Sequence, residues 1–556
     1  MKRQPSIWKS ILTGVFSFAI AATANAWPAK EKKVEFVPGE YVVQLKNKKS
    51  AYDAKMLEQR LQGRIKSQIR PDLIVVQRNV KDTPRTAVRY MKSLPFVKIA
   101  EPNYIFRVNR TPNDPEYSKT WGMSNTGLAD SEGTVGVAGI DINAERAWDI
   151  TTGSDDVIVS VVDTGVDFTH PDLMANAWTN MAEQNGRAGV DDDNNGFIDD
   201  IHGWNFANNN NNVNDDYGHG AHCAGTIGAS GNNGIGVAGV AWNVKIMAVK
   251  FLDASGSGTL ENAIKAIDYT TMMGVKISSN SWGGNINSDI LKDSIKRAID
   301  SGQLFIAAAG NESSDDDESP SMPAGFDLEG IVSVAAIDNR GQIAWFSNYG
   351  RTSVDLAAPG VNVYSTMQGN RYEHLSGTSM AAPHVSGVAA LIKAANPNMT
   401  NLEIKERLLR TARPLAGLRG KTMTNGTVDA YYALTNQVAP ADPNDPANWT
   451  TRYDVAVNSP HPYTDSFEAT YTVTVPNAKR VSLHFSRFET EAGFDKVVFM
   501  DAAGNNLGTW SGNNNDRFSP IAEGDTITMK FTTDTSVTGY GFDIDFANYK
   551  TEDSLR

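Results

Sequence analysis

Residues 377–384 read Gly-Thr-Ser-Met-Ala-Ala-Pro-His and run directly into the apolar stretch VSGVAALIKAA. That stretch has the length and composition of a buried helix, and the small residues before it place Ser379 in the helix's first turn. Backbone N–H groups in a first turn have no intrahelical partner and converge on whatever lies at the terminus. A hydroxyl there can attack an acyl group and leave the resulting oxyanion facing N–H donors. Serine is a poor nucleophile unaided, so this reading requires a histidine base and a carboxylate elsewhere in the chain.

Both occur upstream. Asp163 closes the apolar run VIVSVVD within VVDTGVDFTHPDL, and His219 stands in GHGAHCAGTIG. In the expected roles Ser379 Oγ attacks, His219 takes its proton and passes it to the leaving group, and Asp163 orients the imidazole and stabilises its charged form. Asn311, in AAAGNES, is expected to donate its side-chain amide to the oxyanion beside the Ser379 N–H. A DTG triplet also evokes aspartic proteases, but no second aspartate lobe follows. An esterase elbow, Gly-x-Ser-x-Gly, is absent around Ser379. His170, His202, His222, His374 and His384 are expected to be structural.

With these motifs in the order Asp, His, Ser, the chain resembles the subtilase family over roughly residues 111–435. The resemblance implies an α/β fold, hydrolysis of peptide bonds in protein or peptide substrates, and self-processing of a zymogen. It implies substrate-binding edges at Gly256, Ser257 and Gly258 and at Ser281, Trp282 and Gly283, with Ala308, Ala309 and Gly310 lining the pocket for the residue before the cut. An extended substrate would add as a strand between the edges, and specificity is expected to be broad, favouring large apolar side chains; Glu312 would also admit a basic one. Ala221 stands where the family usually has threonine, which bears on how His219 is positioned. Cys223 matches the branch containing thermitase and proteinase K, in which a sulfur lies beneath the histidine; its plainer role is that of a small buried hydrophobe.

The chain has 556 residues, enough for several domains. Lys2, Arg3 and Lys9, the apolar ILTGVFSFAIAA and Ala24-Asn25-Ala26 form a secretory-signal pattern over residues 1–26, and no other stretch is long and apolar enough to span a membrane. A secreted protein is expected. Residues 27–110 carry a net charge of +11 and residues 111–556 one of −27, so the two parts are expected to attract each other, the alternative being two separately solvated surfaces, and nucleic acid is an unsuitable partner for the acidic body. Residues 34–110 alternate strand-like and helix-like segments, so that 27–110 reads as a small α+β, ferredoxin-like unit resembling the inhibitory propeptide of secreted subtilases, with the cut near Asn109 to Thr111.

Residues 111–437 read as an α/β domain with a parallel sheet and helices on both faces. Residues 438–452 read as a linker rich in Pro, Asp and Asn, and residues 453–549 as an all-β sandwich that resembles a CUB domain without its usual disulfides, Cys223 being the sole cysteine. That module is expected to hold a protein partner, substrate or surface polymer. A secreted binding protein with a degenerate protease domain is the alternative reading, and the intact set Asp163, His219, Asn311 and Ser379 opposes it.

Calcium is the expected structural cofactor, since the acidic candidates offer oxygen ligands. Family resemblance places one site at Asp114, Asp172, the Asn233 side chain and carbonyls near Ser230, Ile235 and Val237. A second candidate is DDDNNGFIDD, with Asp191, Asp193 and Asn195 before Gly196 and Asp199 or Asp200 closing the loop. Glu491, Asp495 and Asp534 match the acidic positions of calcium-binding CUB domains. The run SSDDDESPS at 313–321 reads as a solvated loop.

Overall fold

The computed structural model describes residues 36–49, 52–78, 83–104 and 111–552. The expected signal, and Asn109 and Arg110 of the expected propeptide junction, lie outside the described residues. The chain divides into two compact units, Met1–Val108 and Asn109–Arg556.

In the first unit, strands β1 (Phe36–Leu45), β2 (Gly63–Arg70), β3 (Leu73–Arg78) and β4 (Val97–Tyr104) form an antiparallel sheet in the order β2-β3-β1-β4. Helix α1 (Ala54–Leu61) starts at Asp53, whose carboxylate accepts the Met56 N–H, and α2 (Pro84–Ser93) carries proline at its first position, where a missing N–H costs nothing. Leu57, Leu61, Ala87 and Met91 bury one helical stripe against Val43, Leu45, Ile74 and Val76. The chain order, strand-helix-strand-strand-helix-strand, is that of a ferredoxin-like unit.

In the second unit the central sheet contains β5 (Gly153–Asp163), β6 (Gly203–Asn205), β7 (Asn243–Lys250), β8 (Ile277–Asn280), β9 (Leu304–Ala308), β10 (Ile331–Ile337) and β11 (Leu356–Pro359). A hairpin of β12 (Val363–Met367) and β13 (Arg371–Leu375) stands apart, and β14 (Arg413–Pro414) with β15 (Gly426–Thr427) completes the sheet in the order β14-β15-β11-β10-β9-β8-β5-β7-β6. Its pairings are parallel except for the antiparallel edge between β14 and β15.

Two-sided burial explains the nearly continuous apolar strands. After the short helices α3 (Ala144–Trp148) and α4 (Met181–Gln184) come α5 (His219–Gly228), α6 (Leu260–Met272), α7 (Asp289–Asp300), α8 (Thr378–Ala395), α9 (Asn401–Thr411) and α10 (Ala430–Thr435). Val159, Val161, Ile246, Ala248 and Ile306 share one core with α5, α8 and α9, whereas Val162, Met247, Val249, Phe305 and Ala307 share another with α6 and α7. The period-two alternation of strand side chains thus feeds two helical layers.

Residues 438–449 are anchored on both sides. Arg419 pairs with Asp445, Ala416 N donates to Asp442 Oδ2 at 3.1 Å, and from the C-terminal module Asn548 Nδ2 and Lys550 Nζ donate to Pro446 O at 2.9 Å and Pro443 O at 2.7 Å. Trp449 is buried at the junction. The segment is a brace, where composition alone predicts a linker.

The module is a sandwich of two antiparallel sheets. Its strands are β16 (Thr451–Asn458), β17 (Glu468–Thr474), β18 (Arg480–Glu489), β19 (Lys496–Met500), β20 (Asn506–Trp510), β21 (Arg517–Phe518), β22 (Ala522–Glu523), β23 (Thr526–Thr532) and β24 (Gly541–Lys550). One sheet runs β16-β24-β18-β21 with β22 also on β18, and the other β17-β23-β19-β20. Phe485, Phe488, Phe499, Phe531 and Phe542 fill the space between them, so aromatic packing stands in for the missing disulfides.

Candidate active site and cation clusters

Asp163 is the last residue of β5, and a parallel sheet gathers its chemistry beyond such strand ends. Its Oδ1 lies 2.8 Å from His219 Nδ1 and accepts the Thr164 N–H at 2.7 Å. The Asp163 side chain is 1% exposed and that of His219 20%, so the imidazole has one open edge. Burial works against its positive charge, but the Asp163 carboxylate outweighs that and holds its pKa above the ordinary imidazole value. His222 and His384 show the contrast: burial pushes them down to about 3 and about 4, and they hydrogen-bond backbone carbonyls. His170 and His202 also bond backbone carbonyls.

His219 opens α5, and the turn is held by a residue the sequence reading passed over. Asp215 accepts the N–H groups of Tyr217, Gly218 and Ala221 at 3.0, 2.8 and 2.7 Å and the Thr164 hydroxyl at 2.9 Å. Thr164 Oγ1 in turn accepts the Gly220 N–H at 2.9 Å. The residue after the carboxylate and the start of the histidine helix are thereby joined. An aspartate four residues before the helix's first residue, in DDYGHG, was the available signal. Ala221, in place of threonine, is positioned through its backbone, with its carbonyl accepting the Thr366 hydroxyl at 2.8 Å.

Ser379 is the second residue of α8. Its hydroxyl donates to Ser281 O at 3.1 Å, and its carbonyl accepts from Ser281 Oγ at 2.9 Å and Cys223 Sγ at 3.4 Å. Among the described residues His219 Nε2 has no hydrogen-bond partner. Cys223, His219 and Asp163 present atoms all within 4.8 Å of one another, which brings α5 and the end of β5 to one point. Burial and then the charge of Asp163 keep the Cys223 thiol protonated.

Asn311 follows β9 after Ala309 and Gly310. Its Oδ1 accepts the Thr378 N–H at 2.9 Å and the Thr378 hydroxyl at 3.1 Å, which leaves Nδ2 as the outward donor. Ser257, Gly258 and Gly283 are exposed on the two expected edges. Trp282 meets Phe251 edge to face at 4.9 Å, and Phe251 also lies under Gly258, so one aromatic ring links the edges. The wall residues Ala308 and Ala309 are buried. The segment 313–321 is a largely exposed loop, as expected, with Asp316 and Ser321 turned inward. Asp316 is 2% exposed, and burial pushes its carboxyl up to about 7, while Asp317 accepts from Arg351, Thr352 and Ser353.

Three acidic groups have the chemistry of hard-cation sites. Asp114 and Asp172 are both buried and joined through Asn233, whose Nδ2 donates to Asp172 Oδ1 at 2.8 Å and whose N–H donates to Asp114. Neutral donors alone hydrogen-bond these carboxylates among the described residues, and burial raises the Asp114 carboxyl. Two buried carboxylates without a basic partner suit a divalent cation. Val237 N donates to Asp172 and Ile235 N to Asn233, closing the loop that begins at Ser230.

In the second group Asp193 and Asp200 lie within 4.8 Å of Glu183, which the sequence reading did not foresee because it comes from α4. Asn195 bridges Asp193 and Asp200, and Asp191 accepts the N–H groups of Asn195 and Gly196. Asp199 points away and accepts from Gly189 N at 2.8 Å. In the C-terminal module Glu491, Asp495 and Asp534 form the third group, braced by the Tyr463 hydroxyl against Asp495, with Glu491 Oε2 buried and unpartnered.

Residues 154–445 match the family model described as "Subtilase family". The chain belongs to the subtilase family. This subtilase also matches the fervidolysin N-terminal prodomain over residues 22–103 and the CUB domain over residues 450–546. It is 33% identical to the thermophilic serine proteinase of Bacillus sp. (strain AK1) over 448 residues, 77% of this chain and 98% of that protein. It is 35% identical to thermitase of Thermoactinomyces vulgaris over 325 residues, 58% of this chain and 99% of the relative. With subtilisin-like protease 1 of Plasmodium berghei (strain Anka) identity is 36% over 308 residues, 52% of this chain and 51% of that protein. The subtilase is thus a subtilisin-like serine protease with a prodomain, and no helix among its described residues is long and apolar enough to cross a membrane.

Proposed function

We propose that this subtilase is a secreted serine endopeptidase of broad specificity, made as a self-processing zymogen and stabilised by calcium, and that Asp163, His219 and Ser379 are its triad. The observation that carries the reading is the 2.8 Å contact between buried Asp163 and His219, on the same helix as Cys223, whose thiol donates at 3.4 Å to the carbonyl of Ser379 in the first turn of α8. Asp163 accepts from His219 Nδ1, so the Nε2 edge is left to receive the Ser379 proton. Ser379 Oγ turns from Ser281 O toward the substrate carbonyl and attacks it. Catalytic hydrogen bonds commonly tighten only when substrate arrives.

The tetrahedral oxyanion takes hydrogen bonds from Asn311 Nδ2 and the Ser379 N–H. His219 then delivers the proton to the departing amine, and water attacks the acyl-enzyme by the same route in reverse. Residues 256–258 and 281–283 hold the substrate backbone as a strand. The basic first unit acts as inhibitor until it is cut away. Calcium at the three acidic groups offsets their mutual repulsion, and the CUB module holds a protein partner or surface polymer.

The test is the size and N-terminus of the secreted protein for wild type and Ser379→Ala, with and without calcium. The wild type is expected to lose the segment ending near Asn109 to Thr111, and Ser379→Ala to keep it. Equal cleavage of both would assign maturation to another protease.

A further inference from the structure

Asn348 is 1% exposed and sits in the loop after β10, remote in sequence from Asn311. Its side chain nonetheless holds the chain on both sides of that residue. Nδ2 donates to Ala309 O at 3.2 Å, before Asn311. Oδ1 accepts the N–H groups of Glu312 at 2.9 Å and Ser314 at 3.1 Å, after it. The Asn348 N–H donates to Gly310 O at 3.0 Å. One buried amide therefore brackets Asn311, whose own N–H is held by Glu312 Oε2 at 2.9 Å.

The bracket leaves no slack. A Cβ built on Gly310 would stand 2.4 Å from Asn348 Nδ2, and Gly310 has φ +117°, a conformation L side chains rarely adopt. The second Nδ2 hydrogen goes to Asp316 Oδ1 at 3.0 Å. That acceptor fixes which edge of the Asn348 amide is donor and which is acceptor, since a flipped amide would set its oxygen against both Ala309 O and Asp316. We propose that Asn348 is the positioning residue for the oxyanion donor Asn311, and that Asp316 holds the Asn348 amide in its working orientation. The inference rests on Asn311 being that donor. A donor must stand about 2.7–3.1 Å from where the oxyanion forms, so a shift of a few tenths of an ångström in the 309–312 segment weakens transition-state binding more than ground-state binding.

The experiment measures kcat and KM for matured full-length protein, per serine labelled by a fluorophosphonate so that only folded sites count. The variants are Asn311→Ala, Asn348→Ala, the double variant, Asp316→Asn and Asp316→Ala. Loss of one oxyanion donor costs about 10²–10³ in kcat, a figure known from a subtilisin, and Asn348→Ala is expected to cost about tenfold or more with KM little changed. In the Asn311→Ala background the Asn348 substitution should add nothing, because the group it positions is gone. Asp316→Asn, which keeps an acceptor oxygen, should lose much less kcat than Asp316→Ala.

The same fold-loss from Asn348→Ala in both backgrounds overturns the inference, as does a loss confined to KM. Should Asn348→Ala not fold, the two Asp316 variants decide: equal kcat for both overturns it, and a selective loss in Asp316→Ala supports it. If Asn311→Ala alone leaves kcat unchanged, the oxyanion reading fails first and this inference with it.

Discussion

The same chemical pair, a histidine against an aspartate, occurs in both halves of the second unit with very different surroundings. In the protease domain Asp163, its side chain almost wholly buried, meets His219 at 2.8 Å, and the far edge of the imidazole is open. In the CUB module His484 lies 2.6 Å from Asp545, but its other nitrogen is taken by Asp516 at 3.1 Å, and its ring is stacked on Phe546. Asp516 and Asp545 are solvated, with side chains 91% and 43% exposed. A His–Asp contact is therefore not in itself a catalytic device. The proposed triad differs in that burial makes the carboxylate the dominant charge and one ring nitrogen remains free.

The sharpest way to break this contrast is to remove each carboxylate. Asp163→Asn is expected to lower kcat by about 10⁴, through the wrong tautomer, with the fold intact. Asp545→Asn should leave peptide hydrolysis unchanged; a comparable loss there would erase the distinction.

A second measurement is the pH dependence of kcat/KM. Because Asp163 holds the His219 pKa above 6.5, activity should fall away as pH drops through a value higher than that of a free imidazole. In Asp163→Asn the acid limb should move down. The sign for stability is opposite: the protonated pair stabilises the fold fully below the unfolded pKa, and that contribution is lost as pH rises through the folded one. An acid limb at or below 6.5 in the wild type would contradict the electrostatic account.

The smallest expected effect concerns the brace between the halves. Arg419→Ala removes the contact with Asp445, whose partners are 36% and 10% exposed, and should cost at most about 1 kcal/mol in thermal unfolding. Residues 438–449 should become a site of limited proteolysis, with hydrolysis by the protease domain unaffected. Wild-type resistance in the variant would mean that Trp449 and the CUB-side contacts suffice.

Local pattern made the elements legible. Strands buried on two faces read as apolar runs, helices as amphipathic or apolar stretches opened by capping residues, and Asp163, His219 and Ser379 each stood in a motif whose neighbours are close in sequence. Glu183, Asn348 and Asp316 were not legible as partners, because each acts on a residue presented by another segment, and of the contacts of Asp215 only the one with Thr164 was hidden in that way. The same holds for Asp316, which the fold buries within the otherwise exposed loop 313–321, and for 438–449, where a linker composition is pinned from both sides.

By itself the sequence determined the kinds of elements, their order, the propeptide-like, subtilase-like and CUB-like segments, and the residue types able to do the chemistry. These follow from backbone propensity, the period of side-chain burial and short motifs, all of which operate over a few residues. Only the tertiary structure decided which histidine is raised and which are silenced, which carboxylates share a site, and which buried amide brackets Asn311. Those outcomes depend on desolvation and on hydrogen bonds between segments far apart in the chain, and no local pattern encodes the distance between them.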